Sequence, residues 1–175
     1  MNYATIKWYD IANGEGVRIS LFVSGCTHRC KNCFNQIAWD FAYGEKFDED
    51  VEEKIIRELS SSYISGLSLL GGEPLEPQNQ AALLPFIREV KRRLPEKTIW
   101  CYTGFTLDEK TGDLKEKHKN TAGTAELISY FDVLVDGPFV EDLKDIRLKF
   151  RGSSNQRVID VQKTLAIKQC VLYME

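Results

Sequence analysis

Three short apolar runs, Leu67–Leu70, Thr98–Tyr102 and Asp132–Val135, alternate along the chain with helical patterns, and each ends in a polar motif that carries glycine. Apolar runs of this length bounded by turn signals read as buried strands. Between the first two lies a helical stretch, Gln78–Leu94, with Leu83, Ile87, Val90 and Leu94 on one face. Pro85 is a candidate kink in it and Pro95 stops it. Ala125–Phe131 reads as a helix ahead of the third run. Asp50 reads as the N-cap of an earlier helix, with Glu53 as its capping-box partner and Val51, Ile55 and Leu59 facing the core. Alternation of this kind predicts βα units around a parallel sheet. Ligands of such sheets sit beyond the C-terminal ends of the strands. Gly71-Gly72-Glu73-Pro74, Thr103-Gly104 and Asp136-Gly137-Pro138-Phe139 are therefore expected on one rim, together with a cysteine loop that follows a strand over Arg18–Val23. A chain of 175 residues is too short for eight βα units. The expected fold is α/β, an incomplete, open βα barrel, in one domain spanning 1–175.

The other expectations are local. Thr5–Tyr9 reads as extended, Phe34–Phe41 as the start of a short helix, and Asp108–Thr121 as an exposed polar excursion. In the tail, Val158–Val161 and Cys170–Tyr173 are candidate strands. The composition, 43% hydrophobic and 28% charged, is that of an ordinary globular protein. A net charge of −3 argues against a broad phosphate-binding surface, so nucleic acid is not the expected partner, although Lys91, Arg92 and Arg93 form a candidate basic patch. No apolar run is long enough to span a bilayer, and the N-terminus lacks a basic segment followed by an apolar stretch. The expected location is cytoplasmic, where thiols stay reduced. Five cysteines then read as metal ligands plus spares rather than as disulfides.

The loop is Ser24-Gly25-Cys26-Thr27-His28-Arg29-Cys30-Lys31-Asn32-Cys33-Phe34. Thiolates are soft ligands that suit zinc or iron–sulfur clusters. Three of them within eight residues can each bind a different iron of a 4Fe–4S cluster, leaving the fourth iron open to a small molecule. Zinc stays open as an alternative. It would need His28 as a fourth ligand, since no second C-x2-C pair exists. Cys101 and Cys170 are isolated among apolar residues and read as core cysteines. No Ser/His/Asp triad is visible, and His118 lies in the polar excursion.

The C-x3-C-x2-C spacing after a strand, with Gly71-Gly72-Glu73-Pro74 one βα unit downstream, resembles the radical S-adenosylmethionine superfamily. Trp100-Cys101-Tyr102-Thr103-Gly104-Phe105, Asp132–Phe139, Arg151-Gly152-Ser153-Ser154-Asn155-Gln156-Arg157 and the early Asp10–Gly16 segment extend the likeness over nearly the whole chain. Together they are similar to the activating proteins of anaerobic (class III) ribonucleotide reductases. That resemblance implies an open βα barrel of the radical S-adenosylmethionine type, with Cys26, Cys30 and Cys33 holding a 4Fe–4S cluster. It implies S-adenosylmethionine on the open iron, with Gly71, Gly72 and Glu73 at the methionine end. Many superfamily members carry an aromatic residue just before the third cysteine. Here it is Asn32, so the adenine contact is expected from the backbone of Asn32 or from Phe34. Thr103 and Asp136 stand where related activating enzymes hold a monovalent cation. Arg151, Asn155 and Arg157 are expected either to meet the cofactor or partner, or to form a hydrogen-bonded polar loop. Gly14 and Gly16 suggest a tight turn near the site.

The implied reaction begins with an electron from a flavodoxin-like donor. The cluster passes it to the sulfonium, the S–C5′ bond breaks, and a 5′-deoxyadenosyl radical takes a hydrogen atom from a backbone glycine of the reductase large subunit. The protein supplies orientation and exclusion of side reactions. A homodimer is compatible with this role. The competing readings are an activase of another glycyl-radical enzyme such as pyruvate formate-lyase, a non-catalytic iron–sulfur protein, and a zinc-binding module.

Overall fold

The computed structural model describes residues 1–174. Eight strands form one sheet: β1 (Asn2–Asp10), β2 (Arg18–Val23), β3 (Glu45–Lys46), β4 (Gly66–Gly71), β5 (Thr98–Tyr102), β6 (Val133–Asp136), β7 (Arg157–Asp160) and β8 (Leu172–Met174). Their order is β3-β1-β2-β4-β5-β6-β7-β8. Only β2, β4, β5 and β6 run parallel. The flanking strands pair antiparallel, so the expected parallel sheet is a mixed one. For β1 to β2 and β7 to β8 the reason is connection length: the segments joining them are too short for the crossover that parallel neighbours require.

Four α-helices accompany the sheet: α1 (Glu49–Leu59), α2 (Pro77–Arg93), α3 (Thr124–Ser129) and α4 (Val161–Ile167). Asp48, not Asp50, caps α1, accepting a hydrogen bond from Val51 N at 3.1 Å. Three acids in a row offer competing caps, and the earliest one stops the extended chain. Pro85 lies inside α2. The segment expected as a helix over Phe34–Phe41 is a single 3-10 turn, Gln36–Trp39. Helix α4 has no counterpart in the sequence reading, since its seven residues hold only two buried positions, Val161 and Thr164.

Strand alternation sorts the core. Ile19, Leu21, Val23, Leu67, Leu69, Ile99, Cys101, Leu134 and Ile159 join the helix residues Ile55, Leu59, Leu83, Ile87, Val90 and Leu127 in one cluster. On the other face Trp100, Val133, Val135 and Val158 meet Tyr102, Phe150 and Met174. This second face also buries Arg18, which is 1% exposed. Its guanidinium donates to Ser68 Oγ, Glu15 O, Thr98 Oγ1, Leu67 O and Thr98 O, which uses all five of its N–H groups and stitches the first residues of β2, β4 and β5 together. Burial lowers its pKa to about 10.

Tyr173 of β8 donates a 2.6 Å hydrogen bond to Glu15, in the β1–β2 loop, and packs on Trp100. Five strand steps separate β2 from β8, a span of about 24 Å in a flat sheet. The contact therefore requires the sheet to curl around its helix-free face. Among the described residues no helix is long and apolar enough to cross a membrane.

Candidate active site

The four motifs meet at the C-terminal ends of the parallel strands. Gly25 N donates to Ala38 O and Cys26 N to Trp39 O, which pins the cysteine loop to the 3-10 turn behind it. Arg29 and Asn32 take positive φ values of 50° and 58°, so the loop winds back on itself between its three thiols. Cys33 Sγ accepts from Asn35 N at 3.4 Å, while the backbones of His28 and Phe139 work against the rise in the Cys26 and Cys30 pKa values. Burial, with Glu73 nearby, pushes the Cys26 thiol up to about 12. Cys30 is raised by burial and by the neighbouring Cys33. Only the charge of a metal would hold such thiols ionised near neutral pH. Three soft sulfurs on one wound loop fit an iron–sulfur cluster. Among the described residues no three His, Cys, Asp or Glu side chains converge as a single ion's ligand set.

The Gly-Gly-Glu segment is built into this loop. Gly72 N donates to Val23 O and Glu73 N to Gly25 O. A Cβ on Gly72 would lie 2.6 Å from Gly25 O and 2.9 Å from Ala38 O, so only glycine lets the two backbones approach. Glu73 is 1% exposed. Its Oε1 accepts from Leu75 N and Thr103 Oγ1, and its Oε2 from Gly104 N, each at 2.8 Å. His28 Nε2 lies 2.8 Å from Oε2 as well. All four lone-pair sites of the carboxylate thus face protein groups. The sequence offered His28 only as the fourth ligand that a zinc site would need. It bonds instead to Glu73 and packs on Phe105 with ring centroids 4.3 Å apart.

A second clasp was not visible in the sequence. Glu76, 2% exposed, accepts from Thr27 N at 3.0 Å and from Lys119 Nζ at 2.8 Å, and Lys119 also donates to Thr27 Oγ1. The Asp108–Thr121 excursion is therefore fastened over the cysteine loop, with Leu107 and Leu114 buried in the core. The second glutamate of Gly71-Gly72-Glu73-Pro74-Leu75-Glu76 was the available signal. Burial alone would raise the Glu76 pKa, but Lys119 and Thr27 bring it below 4.5. A carboxylate with a lowered folded pKa contributes stability above its unfolded value, and that contribution fades as pH falls through the folded one. Lys119→Met is expected to cost about 2 kcal/mol at pH 7, roughly 4–8 °C in melting temperature. The gap from wild type should close below pH 4.5, which thermal melts at pH 7, 5 and 3.5 would read.

Thr103 and Asp136 lie on the same rim, Thr103 N donating to Val135 O and Gly137 N to Phe105 O. Asn32 and Phe34 stand out from the cysteine loop, Phe34 92% exposed. Arg151 donates to Gln156 O, Asn155 to Pro138 O, and Gln156 to Gly137 O, so this loop is laced to the Asp136–Phe139 turn. Some expectations fail here. The Gly14 and Gly16 turn packs by Arg18, Trp100 and Ser65, about 17 Å along β2 from the cysteines. Lys91, Arg92 and Arg93 are paired to Asp132, Glu89 and Glu53 and make no basic patch. Cys101 is buried as expected, but Cys170 is exposed, because it sits between the short α4 and an edge strand.

The 4Fe-4S single cluster domain family matches residues 12–159. An anaerobic ribonucleoside-triphosphate reductase-activating protein of Pasteurella multocida is 45% identical over 158 residues, covering 89% of this chain and 95% of the relative. Proteins of the same description from Haemophilus influenzae and Escherichia coli K12 are 46% and 42% identical, over 89% and 90% of this chain and 96% and 97% of their own.

Proposed function

The chain belongs to the 4Fe-4S single cluster domain family, among the anaerobic ribonucleoside-triphosphate reductase-activating proteins, and from that premise we propose that it generates a glycyl radical on the anaerobic ribonucleotide reductase. The observation that carries the reading is the likeness itself, which runs end to end through relatives of one description. The contacts of the cysteine loop with the three other motifs support it. Cys26, Cys30 and Cys33 are proposed to hold a 4Fe–4S cluster, and S-adenosylmethionine to bind beside it. When bound, the two supply one-electron chemistry that ends in removal of a hydrogen atom from a glycine.

The chain's own residues orient and enclose. Backbone carbonyls around Gly71 and Gly72 are the acceptors for the methionine ammonium. The carboxylate of Glu73, filled by its four neighbours, acts by fixing those carbonyls against the cysteine loop. Phe34 and the backbone of Asn32 are placed to cover an adenine. Arg151, half-buried and bonded once, to Gln156 O, among the described residues, has donors to offer a carboxylate. The curled sheet, with helices on one face and Tyr173 reaching Glu15, supports an open βα barrel whose helix-free face encloses the reaction.

The test is a low-temperature electron paramagnetic resonance spectrum of the reconstituted, reduced protein with S-adenosylmethionine and the anaerobic reductase. A glycine-centred doublet on the reductase is the expected result. Cleavage of S-adenosylmethionine without the doublet would remove the partner and keep the chemistry. Absence of both, with no cluster signal, would overturn the reading.

A further inference from the structure

The resemblance calls for a monovalent cation at Thr103 and Asp136, and the residues present do not fit one. Asp136 is 1% exposed. Its Oδ1 accepts from Arg157 Nε at 2.8 Å, and its Oδ2 from Arg157 Nη2 at 2.5 Å and from Leu107 N at 2.8 Å. The guanidinium therefore engages both oxygens as a fork, the strongest pairing a carboxylate has with a side chain. Thr103 Oγ1 donates to Glu73 and accepts from Phe105 N at 3.1 Å. An alkali ion needs several oxygens turned toward it, and it would here approach a carboxylate that already faces a fixed positive charge.

We infer that Arg157 is a built-in counter-cation for Asp136, and that this rim takes no alkali ion. The surroundings are arranged for a permanent charge. Arg157 Nη1 donates to Glu109 Oε1 at 2.5 Å, Nη2 reaches Leu107 O at 3.4 Å, and Lys115 lies 3.6 Å from Glu109. Two carboxylates and two cations balance. Glu109 and Lys115 come from the polar excursion, and Leu107 stands just before it, so the excursion gains a purpose: it delivers the second anion that holds Arg157 in place. The charge also sits where it bears on the site. Asp136 ends β6 on the rim where Thr103 bonds to Glu73. Asp136 and Arg157 pair directly across β6 and β7, so the fork is fixed by strand register rather than by a mobile loop. Arginine suits this role because it stays charged and its planar fork matches a carboxylate.

The inference rests in part on the cofactor reading above, so two independent measurements are needed. In the first, S-adenosylmethionine is titrated calorimetrically into the reconstituted protein in sodium, potassium and choline chloride at equal ionic strength. Dissociation constants agreeing within about twofold are expected, and an affinity about tenfold tighter in sodium or potassium than in choline would overturn the inference. Arg157→Gln is expected to bind about tenfold more weakly in choline and to recover in potassium, which a merely misfolded loop would not do. No loss, or a loss that potassium leaves untouched, counts against it. The second measurement needs no cofactor. Thallium(I), a potassium surrogate, is titrated into the wild-type holoprotein by NMR. No saturable binding is expected, and saturable binding would overturn the inference. A wild type that binds no S-adenosylmethionine in any salt would sink the cofactor reading, while the thallium titration would still decide this one. Should Arg157→Gln fail to fold, the two wild-type measurements decide it.

Discussion

Cys30→Ala protein is expected to lose its iron and to cleave no S-adenosylmethionine above background. Cys30 is the middle thiol of the loop and feels the charges of its neighbours: Cys33 acts on it, and it acts on Cys26. Removing it takes one of the three proposed ligands from a site that has no fourth cysteine close in sequence. Burial has raised the remaining Cys26 thiol to about 12, so without an intact metal site it stays protonated and inert. Iron and sulfide analysis of the anaerobically reconstituted variant, with chromatographic assay of methionine release, reads the result. Retained cleavage would remove Cys30 from the ligand set. Cys170→Ser is the matched control. Its thiol is exposed, at the start of the β8 edge, and iron content and cleavage should stay at the wild-type level.

Replacement of Glu73 has the second-largest expected effect, and it acts on the fold and the reaction together. The carboxylate accepts from Leu75 N, Thr103 Oγ1 and Gly104 N and pairs with His28, and it is 1% exposed. Glu73→Ala strands two backbone N–H groups and leaves the imidazole without its partner. Each buried donor left unmade costs about 1–3 kcal/mol, so a loss of roughly 4 kcal/mol is expected, or 8–16 °C in melting temperature. Glu73→Gln keeps the volume but puts an NH2 group against donors that can only donate, Leu75 N on one side or Gly104 N on the other. It is expected to cost less, about 2 kcal/mol. Both variants should cleave S-adenosylmethionine far more slowly than the melting curves alone would explain, because Glu73 spans the cysteine loop, the Gly-Gly motif and the Thr103-Gly104 turn. Melting curves and cleavage rates measured below the variant's transition separate the two effects. A Glu73→Gln protein with wild-type cleavage would reduce Glu73 to a stabilising residue.

The strands carrying the site were legible because parallel strands buried on both faces are apolar throughout. Leu67–Leu70 and Thr98–Tyr102 were located to within a residue. Boundaries set by hydrogen bonds rather than by burial were less legible. Asp48 displaced Asp50 as a cap because three adjacent acids are chemically equivalent until the chain direction chooses among them. Helix α4 was missed because so little of it is buried. Cys170 was misread as core because its neighbours are apolar, yet β8 is an edge strand whose side chains are partly solvated.

The sequence by itself determined the α/β class, the order of the strands that end in motifs, and the three clustered thiols. Each of these is local: a run of apolar side chains, a spacing of cysteines, a glycine pair after a strand. Only the tertiary structure decided what the polar side chains do. Glu73 is filled by residues 28, 75, 103 and 104, Glu76 by Thr27 and Lys119, and Asp136 by Arg157, in pairings that span up to 49 positions of sequence. The physical reason is that a carboxylate's role depends on which donors reach its lone pairs, and those donors arrive from separate βα units only when the sheet is formed and curled.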